Sequence, residues 1–431
     1  MQLATALRAQ VIRLRERSFI AQAGALLTGA VVAQAVPVLL SPVLTRLYSP
    51  EDFAVFAIFM SVNGVIAVVA AGRYDEAILL PASDDDAINL VALAWLVLSV
   101  LCATLGVALA VLHGHIPDRW MQTLRGDWLP LLPLTLFICA SFQILSAWNN
   151  RCTRFTKLAT SRAAQGVLGG SGQCALGYAG LHGFGLIWGW VLGYAGGLLM
   201  LLRVNLPSLW KGRAQVSRPA MATVAHRYRR FPLLSTWGCL LGNGGSMMAL
   251  LIVSHSFSAA VTGLFSFTLR VLALPLFLIS NALAQVLQQR IARLNNEDPS
   301  LILPYVLRSA AVLITIAIPF VILLAFAGGE LFAFVFGADW AEAGEYARLL
   351  ALAVGIRFVV SPLTAVLSLE HNVKSCTQWQ TLYFLSVTLT LSLGSHLPIE
   401  SFLKLYVAHE MVLYSIYFGV VIQGARRRPP A

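Results

Sequence analysis

Arg270 and Arg357 are the residues of this chain best placed to do chemistry. Arg270 lies in Phe267-Thr268-Leu269-Arg270-Val271-Leu272-Ala273-Leu274-Pro275, and Arg357 in Gly355-Ile356-Arg357-Phe358-Val359-Val360-Ser361-Pro362, each deep within a long apolar run. A guanidinium at the middle of a bilayer costs about 2.5–3.5 kcal/mol on an insertion scale, so each asks for an explanation. Both precede a proline by five residues, and proline frees a carbonyl one turn back that can satisfy part of the guanidinium. Two readings stand side by side: structural pairing or snorkelling, and a water-filled cavity that receives an anionic ligand. On the second reading both arginines face one shared central cavity.

Glu410, beside His409, is the acid placed well inside the last apolar run. It is either the salt-bridge partner of a buried arginine or a group that couples transport to a proton or cation. Arg73, Asp75 and Glu76 sit just past the second apolar run, where they line a cytoplasmic mouth or pair with one another. Arg46 falls in a turn on the opposite side. His113-Gly114-His115 lacks the further ligands a metal site needs. Nothing resembles GxxxxGK[ST], no Ser, His and carboxylate set is defensible as catalytic, and no cofactor is expected. The six cysteines have no CxxC or paired spacing.

The elements that must position these groups are membrane helices. Of 431 residues, 58% are hydrophobic and only 11% charged, with a net charge of +11 and a mean hydropathy of +0.76. A soluble domain needs far more charge to cover its surface, and a β-barrel would alternate polar and apolar residues along short strands. The fold expected is therefore an all-α polytopic membrane protein of about twelve transmembrane helices, in two pseudo-symmetric six-helix bundles around a central cavity. The excess of arginine follows topology, since no soluble basic face exists for nucleic acid.

Residues 1–18, with Arg8, Arg13, Arg15 and Arg17, read as a basic amphipathic helix on the inner surface. The apparent Ala33-Gln34-Ala35 cleavage site is set aside because apolar sequence continues to Leu44. Six spans over 19–202 form the first bundle; six over 233–424 form the second. Between them, 203–232 carries Arg203, Lys211, Arg213, Arg218, Arg227, Arg229 and Arg230 without an acid, and reads as a cytoplasmic linker held by anionic lipid. The tail, 425–431, carries Arg426, Arg427 and Arg428, so both termini are expected in the cytoplasm. Arg154, Lys157 and Arg162 are assigned to a cytoplasmic turn before a fifth span beginning at Ala163, and the glycines of the fifth and sixth spans to close helix packing.

Sliding the second half onto the first aligns Tyr48-Ser49-Pro50-Glu51-Asp52-Phe53 with Phe257-Ser258-Ala259-Ala260-Val261-Thr262. With an even number of spans per half, such a repeat has its axis along the membrane normal, with a cavity between the halves.

Thr45-Arg46-Leu47-Tyr48-Ser49-Pro50-Glu51-Asp52-Phe53, Arg73-Tyr74-Asp75-Glu76-Ala77-Ile78-Leu79-Leu80-Pro81 and Arg270-Val271-Leu272-Ala273-Leu274-Pro275 resemble the polysaccharide transporter family. These are the Wzx-type flippases of lipid-linked oligosaccharides, within the multidrug/oligosaccharidyl-lipid/polysaccharide (MOP) superfamily. Arg46, Arg73, Asp75 and Arg270 fall on pattern positions, and Ala54 departs from the glycine common in relatives. The resemblance implies a cationic central cavity, alternating access and an undecaprenyl-diphosphate-linked glycan as cargo. It also implies a bacterial inner membrane, surrounding membrane lipids, and cooperation with polysaccharide polymerase and chain-length machinery. Arg270, Arg357, Arg46 and Arg73 are then the candidates for binding the diphosphate or an anionic glycan, with Glu410 and Asp75 as coupling or ion-pair residues.

Two rivals remain. A drug/cation antiporter of the same superfamily would need acids to dominate the cavity, and a membrane glycosyltransferase or O-antigen polymerase would need long external loops. The sign of the charge facing the cavity discriminates among them.

Overall fold

The computed structural model describes residues 33, 35–112, 126–369 and 373–426. The basic segment 1–18, His113, His115 and Arg427–Arg428 lie outside the described residues. Everything regular among the described residues is helical. In the first half run α1 (Ser41–Leu47), α2 (Pro50–Ala70), α3 (Tyr74–Ala77), α4 (Asp84–Leu112), α5 (Leu132–Arg151), α6 (Phe155–Tyr178) and α7 (His182–Gly212). A short α8 (Arg218–Arg227) leads to the second half: α9 (Thr236–Ser256), α10 (Ala259–Glu297), α11 (Ile302–Phe336), α12 (Ala341–Leu363), α13 (Val373–Gly394) and α14 (Ile399–Arg426).

Among the described residues seven helices are long and apolar enough to cross a membrane, or eight if the helix bent by 52° between Phe231 and Ser256 counts as one span. The expected twelve are not reached by this measure, for identifiable reasons. The first expected span lies mostly outside the described residues. Gly, Ser, Gln and Arg162 dilute the apolar content of α6.

The Thr45–Phe53 string lies at the junction of the two halves. Ser49 caps α2, its Oγ accepting from Asp52 N at 3.3 Å while Asp52 Oδ2 accepts from Ser49 N at 3.0 Å, with Pro50 in the first turn. Ser258, its repeat-aligned counterpart, caps α10 in the same way by accepting from Val261 N at 3.3 Å. Around this turn the halves are clasped. Tyr48 donates its hydroxyl to Gln173 O at 2.6 Å in the first half, and Trp340 of the second half donates to Thr45 O at 3.0 Å. Phe53 packs edge-on against Phe267 at 5.2 Å and Trp340 at 5.1 Å. Between lipid-embedded helices there is little hydrophobic driving force, so these fitted rings and hydrogen bonds are what hold the halves in register. Helix α2 is the shared wall, packing on α9 and α10 across the interface and on α5 and α7 within its own half.

The Arg73–Pro81 string is a second structural corner. Gly72 and Arg73 turn through the left-handed region at φ 57° and 58°, and Tyr74, Ala77 and Ile78 bury against α4. Arg151 at the end of α5 closes the corner, donating to Pro81 O at 2.7 Å, Ser83 O at 3.2 Å and Asp84 Oδ1 at 3.0 Å.

The linker boundary expected at 203 moves. Helix α7 continues to Gly212, because Asn205 is buried inside it and receives Arg154 Nη1 on its Oδ1 at 2.9 Å. The chain beyond Gly212 is also ordered against the bundle. Asn89 on α4 donates to Gln215 O at 3.1 Å and accepts from Ser217 N at 3.3 Å, Val224 of α8 is buried, and Arg227 pairs with Asp86 at 2.6 Å. Asn89→Ala would remove both hydrogen bonds to the Gln215 and Ser217 backbone, a loss of about 0.5–1.5 kcal/mol each. The expected result is faster limited proteolysis between Gly212 and Arg218 with the remaining fragments unchanged; a cleavage pattern like that of the wild type would show that Asn89 does not hold the linker.

Candidate functional site

Between the two halves lies a cavity of about 760 Å³, within the range of small-molecule sites. Its walls are unequal. Helix α6 turns a face of Arg162, Gln165, Gly166, Gly169, Gly170 and Gln173 toward it, a spacing of three and four residues that keeps one helical face aligned. The face reaches the cavity because α6 and α7 approach on glycines: a methyl at Gly193 would meet Gly169 Cα at 2.8 Å. Gln143 of α5 and Trp190 and Tyr194 of α7 complete this wall. The opposite wall, from α9 and α10, is apolar apart from Ser266 and Arg270.

Arg270 enters from α10 with its Cζ 5.6 Å from the centre of the Phe56 ring. Its Nη1 is buried and has no hydrogen-bond partner among the described residues. Next to it, Thr268 fixes α10 to α12 by donating to Ala343 O at 3.0 Å. Arg162 is the second cation of the cavity, beside Tyr194. Among the described residues, no carboxylate lines the cavity. Two guanidinium groups in a partly enclosed space without a counter-ion create a positive potential that favours an anion, and each presents a planar fork for two oxygens.

Of the six candidates read from the sequence, only Arg270 lines this cavity. Arg357 does not share it, contrary to the expectation. It points into the second bundle, where its Nε donates to Glu410 Oε2 and its Nη2 to the hydroxyl oxygens of Tyr383 and, at 3.1 Å, Tyr406. Tyr383 in turn donates to Glu410 Oε1 at 2.8 Å, and His409 Nε2 lies 3.2 Å from Ser386 Oγ. Glu410 is fully buried. Of the readings left open for it, the salt bridge is the one the geometry realises, with Arg357 rather than Arg270 as partner.

Arg46 is exposed at the end of α1 and donates to Pro42 O within its own helix. Arg73 pairs with Glu76. Asp75 is half-buried in the same corner, where burial pushes its carboxyl above the usual carboxylate range and Arg73 pulls the other way. Neither residue reaches the central cavity.

Arg162 is the cavity residue that the charge pattern assigns elsewhere. It reads as part of a cytoplasmic turn because it follows Arg151, Arg154 and Lys157, whereas α6 begins at Phe155 and carries Arg162 two turns inside. The signal for it is the stripe itself: Arg162, Gln165, Gln173 and three glycines on one face of a continuous helix.

Twelve crossing elements are not needed to define the architecture, which is that of a helical membrane protein of two packed halves around a cavity. A family profile described as "Polysaccharide biosynthesis protein" matches residues 43–345, and the chain belongs to that family. No match was found among curated protein sequences. Among solved structures, the chain is similar to an inward-facing multidrug resistance MATE family transporter of the MOP superfamily, with a TM-score of 0.67 at 15% identity over 91% of this chain and 95% of that one. It is similar to the lipid II flippase MurJ in an inward closed conformation, with a TM-score of 0.68 at 11% identity over 92% and 86%. A MOP superfamily transporter from Pyrococcus furiosus, described by the reverse polarity of its binding pocket, gives a TM-score of 0.61 at 13% identity over 95% and 96%. At these identities the likeness is one of fold.

Proposed function

We propose that this protein is a flippase that carries undecaprenyl-diphosphate-linked oligosaccharide repeat units across the bacterial inner membrane, by alternating access, for surface polysaccharide synthesis. The observation that carries this reading is the sign of the cavity: Arg270 and Arg162 line it, and among the described residues no carboxylate does. A diphosphate needs compensating cations to enter a low-dielectric interior, while its lipid tail can remain in the bilayer. The antiporter reading requires acids facing the cavity, and Glu410, the deeply placed acid, is instead engaged by Arg357 in the second bundle. Family membership in polysaccharide biosynthesis supports the same choice, while the fold, shared with a MATE transporter and a lipid II flippase alike, is compatible with both readings. In this reading both termini and the 203–232 segment face the cytoplasm.

Deleting the gene in its host should abolish one surface polysaccharide and leave the corresponding lipid-linked repeat unit accumulated on the cytoplasmic leaflet, and complementation should restore export. Unchanged surface glycan together with sensitivity to cationic drugs would overturn the flippase reading in favour of the antiporter.

A further inference from the structure

The division of the central cavity into unlike walls carries an inference that rests on the flippase reading and deepens it. The first-half wall supplies Gln143, Gln165, Trp190 and Tyr194 beside Arg162, while the second-half wall offers Arg270 on a mostly apolar surface. We propose that the Gln143–Gln165–Trp190–Tyr194 wall reads the glycan of the cargo, leaving the opposite wall's Arg270 to hold the diphosphate.

The chemistry fits a sugar. A primary amide offers two donors and an acceptor, which matches hydroxyl groups that both give and accept, and amides bind neutral polyols without favouring ions. Gln143 is exposed to the cavity and has no hydrogen-bond partner among the described residues, so its hydrogen-bonding capacity is free for a ligand. The rings are set in advance. Trp190 packs edge-on to Phe59 at 5.7 Å and lies 4.6 Å from Tyr194, which meets Phe142 at 5.5 Å. An aromatic face held this way can take the apolar C–H face of a pyranose at little entropic cost, while its polar edge binds hydroxyls. Gln173 is excluded from the role, because it is buried and one of its amide N–H groups already donates to Leu186 O at 2.9 Å.

The division of labour makes selectivity separable from transport. A site built to hydrogen-bond hydroxyl groups loses discrimination when its amides become apolar, whereas neither glutamine carries charge and the Arg270 contact to the diphosphate lies on another wall. The test uses proteoliposomes and two cargoes: the lipid-linked oligosaccharide extracted from cells that make it, and a polyprenyl diphosphate carrying one glucose. For Gln143→Leu, and separately for Gln165→Leu, the flipping rate of the oligosaccharide relative to the monosaccharide form should fall about tenfold from the wild-type ratio. Gln143→Leu removes no hydrogen bond seen within the described residues, so it keeps the test readable if Gln165→Leu, on the α6 face packed against Gly197 of α7, fails to fold. A wild-type ratio in the folded Gln143→Leu variant would overturn the glycan wall and leave the flippase reading intact. If the wild-type protein flips neither cargo, the flippase reading falls and this inference with it.

Discussion

Replacing Arg270 by Ala is expected to stop export of the lipid-linked sugar while the protein remains in the membrane at wild-type abundance. Arg270 has a buried Nη1 without a partner among the described residues, so truncating it breaks no ion pair. Removing an unpaired buried cation relieves a desolvation cost, and thermal stability should hold or rise. Function should respond the opposite way. Truncating one partner of a buried charged contact costs about 2–5 kcal/mol, which is roughly one and a half to three and a half orders of magnitude in transition-state or ligand stabilisation. Arg270→Lys should recover part of the activity, since it keeps the charge and loses the planar fork that grips two oxygens. Arg270→Glu should be inactive. Exchanging Arg270→Glu with Glu410→Arg should not rescue it, because Glu410 is the partner of Arg357. Surface polysaccharide and membrane protein level, measured together, check this. Normal export by Arg270→Ala at normal abundance would remove Arg270 from the site and leave Arg162 as the cation facing the cavity.

The second large effect is on folding. Glu410→Ala or Arg357→Ala should sharply lower the folded protein recovered from membranes, because either leaves a charge buried among Tyr383, Tyr406 and the remaining partner. Breaking a buried pair from one side typically costs about 3–5 kcal/mol, whereas replacing both partners by apolar groups of similar size is often close to neutral. The double variant Arg357→Met with Glu410→Leu should therefore regain most of the lost thermal stability in detergent. A coupling role predicts another pattern: Glu410→Ala at normal abundance and stability but with transport lost, and no functional gain from the second substitution. Measuring melting temperature and flipping on the same preparations separates the two.

Much of this molecule was determined by its sequence alone. Sparse charge and long apolar runs leave few structures other than a bundle of membrane helices, because backbone polar groups in lipid must be satisfied within each segment. The Ser49 and Ser258 starts of α2 and α10 were visible as aligned turns, and the Arg73–Pro81 string as a family signature. Their physical roles were not visible. The first string clasps the two halves through Thr45 and Phe53, with Tyr48 anchoring it to its own half, and the second folds a corner beneath α4.

What only the tertiary structure decided is the direction in which each buried cation faces. Hydropathy reports how deep a residue sits along the membrane normal, and on that count Arg270 and Arg357 are alike. It says little about rotation around the helix axis, since lipid-facing and protein-facing positions are both apolar in a membrane helix. Packing supplied that information: α10 turns Arg270 into the space between the halves, and α12 turns Arg357 toward Tyr383, Tyr406 and Glu410. The same limit hid Arg162. Its charge resembled the cytoplasmic cluster before it, and only the start of α6 at Phe155 and its glycine contacts with α7 set that side chain facing the cavity.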